Sequence, residues 1–241
     1  MKQMKEWSLR LGRFLFKHRS FTPLPIMILL VVFFKPIDAG AQNIIIHILG
    51  LFIALSGEFI RMLTVGFSHS GSSGRESHLR ADRLNTTGLY SLVRNPLYIG
   101  NFFIFSGLII VFANPLALLV MALFLSGQYY FIILAEEAYL KDKYGPEFDD
   151  YCARVRRIIP GLMAYRKNSR PFNAQKVLFK ENDSLFNLLM IFLLLLLYKE
   201  KLYTGYIARP LAYIVPAALL ILAYIIVKIL KKRVLPRHPN L

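Results

Sequence analysis

The sequence predicts an all-α fold, a polytopic transmembrane helical protein of about six spans arranged around a central helical hairpin. Three observations predict it. Hydrophobic residues make up 56% of the 241 residues and the mean hydropathy is +0.47, too apolar for an ordinary soluble domain. Several windows approach the roughly 20 apolar residues a helix needs to cross a hydrocarbon layer, where no water satisfies the backbone. Finally, 26 of the 30 Lys and Arg residues fall in alternate segments between those windows, the asymmetry that the positive-inside rule assigns to six spans with both termini cytosolic.

The first window, 21–34, follows a basic segment, and no small-residue cleavage site comes after it, so a retained helix is expected. The second covers 44–65. The third and fourth, 97–112 and 115–134, are separated by Ala113 and Asn114 and read as a tight antiparallel hairpin. A fifth window, 185–198, is short for a full crossing, and a sixth covers 210–227. The expected organisation is a basic segment with the first helix (1–43), a membrane core (44–160), a basic cytosolic linker (161–183), and a C-terminal helix pair with a basic tail (184–241).

Between the second and third windows, residues 68–85 have loop composition, with Ser70, Gly71, Ser72, Ser73 and Gly74 in one run. Such backbone must lie in water or against a protein-lined cavity. Beyond the fourth window, 136–157 reads as two short helices broken at Gly145 and Pro146. Tyr144, Phe148 and Tyr151 form an aromatic stripe there, suited equally to the membrane surface or to a pocket wall.

The formal charge of +16 follows topology; no basic domain stands apart from the spans, which argues against a nucleic-acid partner. A basic face beside anionic headgroups adds about 1 kcal/mol per residue of surface attraction. Cys152 is the single cysteine and excludes an internal disulfide. The five histidines, His18, His47, His69, His78 and His238, show no metal-ligand spacing, so no metal is expected. Glu58 lies inside the second window, where an acid is a functional candidate, and Arg61 three residues on can pair with it.

Chemistry concentrates at the entrance to the hairpin. Thr87-Gly88-Leu89-Tyr90 is followed by Arg94-Asn95-Pro96, Tyr98 and Gly100. Pro96 suits a helix start, and Gly88 and Gly100 admit close approach of a ligand or of a neighbouring helix. Glu136 and Glu137 stand at the other end of the hairpin, so the antiparallel return brings them level with Arg94. Two adjacent acids beside an apolar helix are costly unless paired or bound to a cation.

This ordered set, continued by Asn114-Pro115, Tyr144-Gly145, Phe148, Tyr151, Val155 and Pro160, resembles the integral membrane methyltransferases, among them isoprenylcysteine carboxyl methyltransferase and the phospholipid methyltransferases. The resemblance covers roughly 44–160. It implies a helical membrane enzyme with a cytosol-facing pocket for S-adenosylmethionine and a lipid or lipidated substrate entering from the bilayer. It places Arg94, Asn95 and Glu137 in catalysis. Thr87, Gly88, Leu89, Tyr90, Asn95, Pro96, Tyr98, Gly100, Glu136, Glu137 and Tyr151 fall to cofactor binding, the paired acids holding the cofactor's amino group. Many members have histidine where this chain has Asn95. An amide donates and accepts hydrogen bonds but is no base, which favours an acceptor that is already anionic, a carboxylate or phosphate.

Two other functions fit parts of the sequence. A membrane reductase of sterol-like double bonds would bind a nicotinamide dinucleotide, with Arg75, Arg80 and Arg83 as phosphate ligands, but Glu136 and Glu137 would repel those phosphates. A non-catalytic scaffold explains the apolar windows and leaves the Arg94, Tyr98 and Glu136-Glu137 arrangement without a use. The short chain without a recognisable retention signal favours a bacterial cytoplasmic membrane.

Overall fold

The computed structural model describes residues 2–69, 81–161 and 165–234, and among these the regular structure is entirely helical. The polar run at 70–74, together with Arg75, Arg80 and His78, lies outside the described residues, as does His238.

The chain opens with α1 (Lys2–His18) and α2 (Pro23–Phe33), bent by 80° at the break between them. Pro23 and Pro25 lie in the first turn of α2, where a missing N–H costs nothing. A single 3-10 turn, Gly40–Gln42, leads into α3 (Asn43–Phe67). After the short α4 (Leu89–Leu92) comes the predicted hairpin, α5 (Pro96–Ile110) and α6 (Pro115–Tyr144). Asn114 makes the turn sharp: its side chain accepts from Leu116 N and Ala117 N at 3.1 and 3.2 Å, capping donors that the helix start leaves over.

The segment expected to form two short helices after the fourth window divides differently. Its first half continues α6 to Tyr144, and the break falls at Gly145, whose φ of 52° is open to glycine at no steric cost. Helix α7 (Pro146–Arg154) follows, then α8 (Ala174–Thr204) and α9 (Leu211–Val234).

Three helices are long and apolar enough to cross a membrane, within Gly40–Phe67, Pro115–Tyr144 and Leu211–Arg233, or four if the bent α1–α2 pair makes one crossing. Helix α5 is apolar but has 15 residues, about 22 Å of rise against a hydrocarbon core of about 30 Å.

Helices α3 and α5 approach through glycines set seven residues apart on each. A Cβ on Gly57 would lie 2.4 Å from Gly100 O, and one on Gly107 would lie 2.5 Å from Gly50 O. Small residues allow such close approach between helices in lipid. Around this pair the main apolar core gathers Leu30, Ala54, Leu108, Ile109, Met121, Leu125 and Ile132. Leu188, Phe192 and Leu195 of α8 belong to the same core. Helix α9 packs along α8, and none of its apolar window is buried. The aromatic stripe meets protein: Phe148, Tyr151 and Val155 form a second cluster with Tyr144, Leu140 and Leu84.

Candidate functional site

The hairpin does bring its two ends together. Arg94 Nη2 lies 3.1 Å from Glu137 Oε1, with side-chain exposures of 13% and 14%, so the pair is largely withdrawn from water. Arg157, just after α7, joins from the other side: its Nη2 is 2.5 Å from Glu137 Oε2 and its Nε 3.2 Å from Oε1. One carboxylate thus takes three charge-assisted contacts from two guanidinium groups, the strong class of hydrogen bond. The bond to Glu137, with its charge, raises the already high pKa of Arg157.

The backbone around this trio is laced to the segment after α7. Arg94 N donates to Arg156 O at 2.9 Å, Gly161 N to Leu92 O at 2.9 Å, and Asn95 Nδ2 to Arg157 O at 3.0 Å. Further along, Gly88 N donates to Arg166 O and Arg166 N to Ser91 Oγ, while Thr87 Oγ1 meets Ser169 Oγ at 3.3 Å. The basic stretch read as a linker therefore lies along the predicted site. Gly88 has a φ of 62°, and Asn168 Oδ1 fills the space a Cβ would need.

Neighbouring residues on a helix point about 100° apart, and the two acids separate accordingly. Glu136 lies within electrostatic reach of Tyr98 and of the Arg19 guanidinium. Helix α1 delivers Arg19 by packing tightly on α6, where Gly12 abuts the backbone of Phe131. Tyr98 also leans on Tyr129, ring centroids 5.0 Å apart. Tyr151 donates to Tyr90 O at 2.7 Å, and burial raises both phenols.

Of the predicted residues, Arg94, Asn95 and Glu137 form one group, Tyr98 and Glu136 an adjoining one, and Tyr90 and Tyr151 a third beneath them. Leu89 starts α4 and Pro96 starts α5, where Pro96 is buried. Thr87 and Gly88 face the 166–169 segment. Gly100 turns toward α3: a Cβ there would stand 2.7 Å from both Gly57 O and Arg61 Cγ. Of the two uses its sequence position leaves open, the structure shows the neighbouring helix. Burial raises the Cys152 thiol, keeping it from the reactive thiolate.

The chemistry of these donors fits an amino-acid ligand. A carboxylate has about four acceptor positions, of which Arg94 and Arg157 occupy three on Glu137, and Arg157 is 38% exposed and able to exchange. Arg94 Nε is buried without a hydrogen-bond partner among the described residues. An acid for an ammonium and a guanidinium with an unused donor for a carboxylate are both present. Among the described residues no group of three or more His, Cys, Asp or Glu comes together as a metal site.

Sequence reasoning missed Arg19 and Arg157, and also the ionic group behind α5. There Arg61 donates to Glu181 Oε2 from Nε at 3.0 Å and Nη2 at 2.7 Å, and from Nη1 to Asn101 Oδ1 at 2.6 Å. Glu58 lies 3.9 Å from Arg61 Nε, as the three-residue spacing predicts, and accepts from Ser184 Oγ at 2.7 Å.

Comparison with known proteins identifies the region that carries this geometry. The phospholipid methyltransferase family model matches residues 45–147. A nickel-cobalt-cadmium resistance protein, NccN, of Alcaligenes xylosoxydans xylosoxydans is 36% identical over 97 residues, 40% of this chain and 43% of that protein. Protein-S-isoprenylcysteine O-methyltransferase B of Arabidopsis thaliana is 32% identical over 117 residues, 46% of this chain and 57% of the relative. The chain thus spans about half the length of the curated relatives it matches. No solved structure matches.

Proposed function

We propose that this chain, which belongs through residues 45–147 to the phospholipid methyltransferase family, uses S-adenosylmethionine to methylate an anionic group on a membrane lipid or lipidated substrate. The observation that carries this reading is Glu137 held between Arg94 and Arg157, an acid and a cation from inside the family region with a second cation from just beyond it. Glu136 and Glu137 would hold the cofactor's ammonium and Arg94 its carboxylate, with Thr87, Gly88, Leu89, Tyr90, Asn95, Pro96, Tyr98, Gly100 and Tyr151 bordering the pocket. When bound, the cofactor supplies a methyl group on a sulfonium centre.

The protein's own task is alignment and electrostatics. Arg157 is the more exposed guanidinium and can leave Glu137 to grip a carboxylate or phosphate bidentately. Asn95 is fixed by its bond to Arg157 O and can orient the acceptor but not take its proton. An amine acceptor would need Glu137 as base, at the cost of both ion pairs. An anionic acceptor needs no base at all.

In this reading α5 and α8 complete six crossings with cytosolic termini in a bacterial cytoplasmic membrane. The core at 44–160 carries the pocket, 161–183 borders it, and 184–241 forms the C-terminal pair.

The test is transfer of radiolabelled methyl groups by the protein reconstituted in lipid nanodiscs, offered an S-prenylated cysteine, an anionic phospholipid and phosphatidylethanolamine in separate reactions. Label on a carboxylate or phosphate is expected. Label on the amine alone would overturn the anionic acceptor, and label on none would overturn the methyltransferase reading.

A further inference from the structure

The geometry points to Glu181 of α8 as a positioning residue for methyl transfer, acting through Arg61 on the helix that carries Asn95 and Tyr98. This rests on the methyltransferase reading above, and extends the working unit past the family region into a helix with no assigned part in it.

Glu181 is 1% exposed and Arg61 14%. Burying such a pair is unfavourable unless its geometry is close and its remaining donors are satisfied. Here the geometry is close, with three guanidinium donors engaged. Glu181 fixes two nitrogens of the guanidinium and Asn101 takes a third. The aliphatic part of Arg61 lies against Gly100, where any Cβ would collide with it. Arg61 therefore grips α5 at two successive residues, Gly100 and Asn101, one turn after Asn95 and Tyr98.

The contact continues toward the site. Tyr98 lies three residues before Asn101 on α5 and packs on Tyr129 of α6, ring centroids 5.0 Å apart. Arg61 holds α5 through Gly100 and Asn101, and α5 meets α6 through the Tyr98–Tyr129 contact, so moving Arg61 displaces the start of α5 relative to α6. A shift of about 1 Å at a reacting centre costs about a hundredfold in rate, so a carboxylate that sets this position acts on turnover without touching substrate. Glu58 and Ser184 hold the other side of Arg61. The cluster's contacts thus come from α3, α5 and α8.

Glu181→Gln keeps the size and an acceptor oxygen but removes the charge. Asp183→Asn serves as the control: it lies two residues away on the same helix and turns to α9, pairing with Lys228 at 2.7 Å. Two readouts are taken on the full-length protein in nanodiscs. The first is kcat and KM for methyl transfer, normalised to folded protein. The second is the fluorine resonance of 3-fluorotyrosine placed at position 98, which needs no turnover.

Glu181→Gln is expected to lower kcat about tenfold or more with KM for the cofactor within about threefold, to shift or split the fluorotyrosine resonance, and to be non-additive with Asn101→Ala. Asp183→Asn should match the parent in both readouts. An unmoved resonance with kcat within about twofold of the parent overturns the proposal, as does a lower melting temperature with unchanged turnover per folded molecule. If the parent protein transfers no methyl group while Glu181→Gln moves the resonance, the methyltransferase reading fails and the link from α8 to Tyr98 stands.

Discussion

Two ionic clusters stand on either side of α5 with opposite composition. In one, Glu137 is shared by Arg94 and Arg157, two cations to one acid, and Arg157 is 38% exposed. In the other, Arg61 is shared by Glu58 and Glu181, two acids to one cation, and both acids are 1% exposed. The first can exchange partners with little desolvation, because one member already meets water. The second is fixed, because releasing any member strands a charge in an apolar bundle. Exchangeable charge suits ligand binding and locked charge suits architecture, so similar residues serve different ends according to what surrounds them.

Breaking the locked cluster should have the largest effect. Arg61→Ala leaves two buried acids without their cation and is expected to cost about 3–5 kcal/mol of stability, seen as a large fall in melting temperature in detergent. Glu137→Ala acts on the exchangeable cluster and should leave the protein folded while methyl transfer falls about a hundredfold or more, roughly 2.7 kcal/mol. Arg157→Ala keeps Arg94 against Glu137 and should raise KM for an anionic acceptor about tenfold, with a smaller effect on the cofactor's KM.

Lys176 is a buried charge of a third kind. It is 4% exposed, and among the described residues its Nζ meets neutral oxygens alone: Ser68 O and Oγ at 2.8 Å and His69 O at 3.4 Å. Burial, with Lys180 and Arg170 nearby, lowers its pKa from 10.5 to about 8. Because the unfolded chain then binds more protons between those values, stability should rise with pH from about 8 to about 10.5. Melting temperatures across that range should show the rise in the parent and lose it in Lys176→Met.

The hairpin was legible because its signals are local: Asn114 and Pro115 cap one helix, Pro96 starts the other, and antiparallel return fixes which ends meet. That logic placed Arg94 beside Glu137 without any knowledge of packing. Arg157 was not legible, since it lies in a basic segment where nothing distinguishes it from Arg156. Arg19 depends on an 80° bend that two prolines and an apolar window do not specify. Glu181 precedes the apolar run of α8 and looks like a surface charge until Arg61, 120 residues away, is brought opposite. Of the glycines seven apart on α3 and α5, the sequence reading took only Gly100 as a point of close approach, and the repeat shared with Gly50, Gly57 and Gly107 emerged when the two helices were seen packed.

Cofactor binding is the claim on which the rest depends. Calorimetric titration of S-adenosylmethionine and S-adenosylhomocysteine into the detergent-purified protein, beside Glu137→Ala and a nicotinamide dinucleotide control, tests it directly. Saturable binding of both adenosyl ligands, lost in Glu137→Ala, and no binding of the dinucleotide are expected. Folded protein that binds neither adenosyl ligand, or that binds the dinucleotide in their place, would contradict that claim.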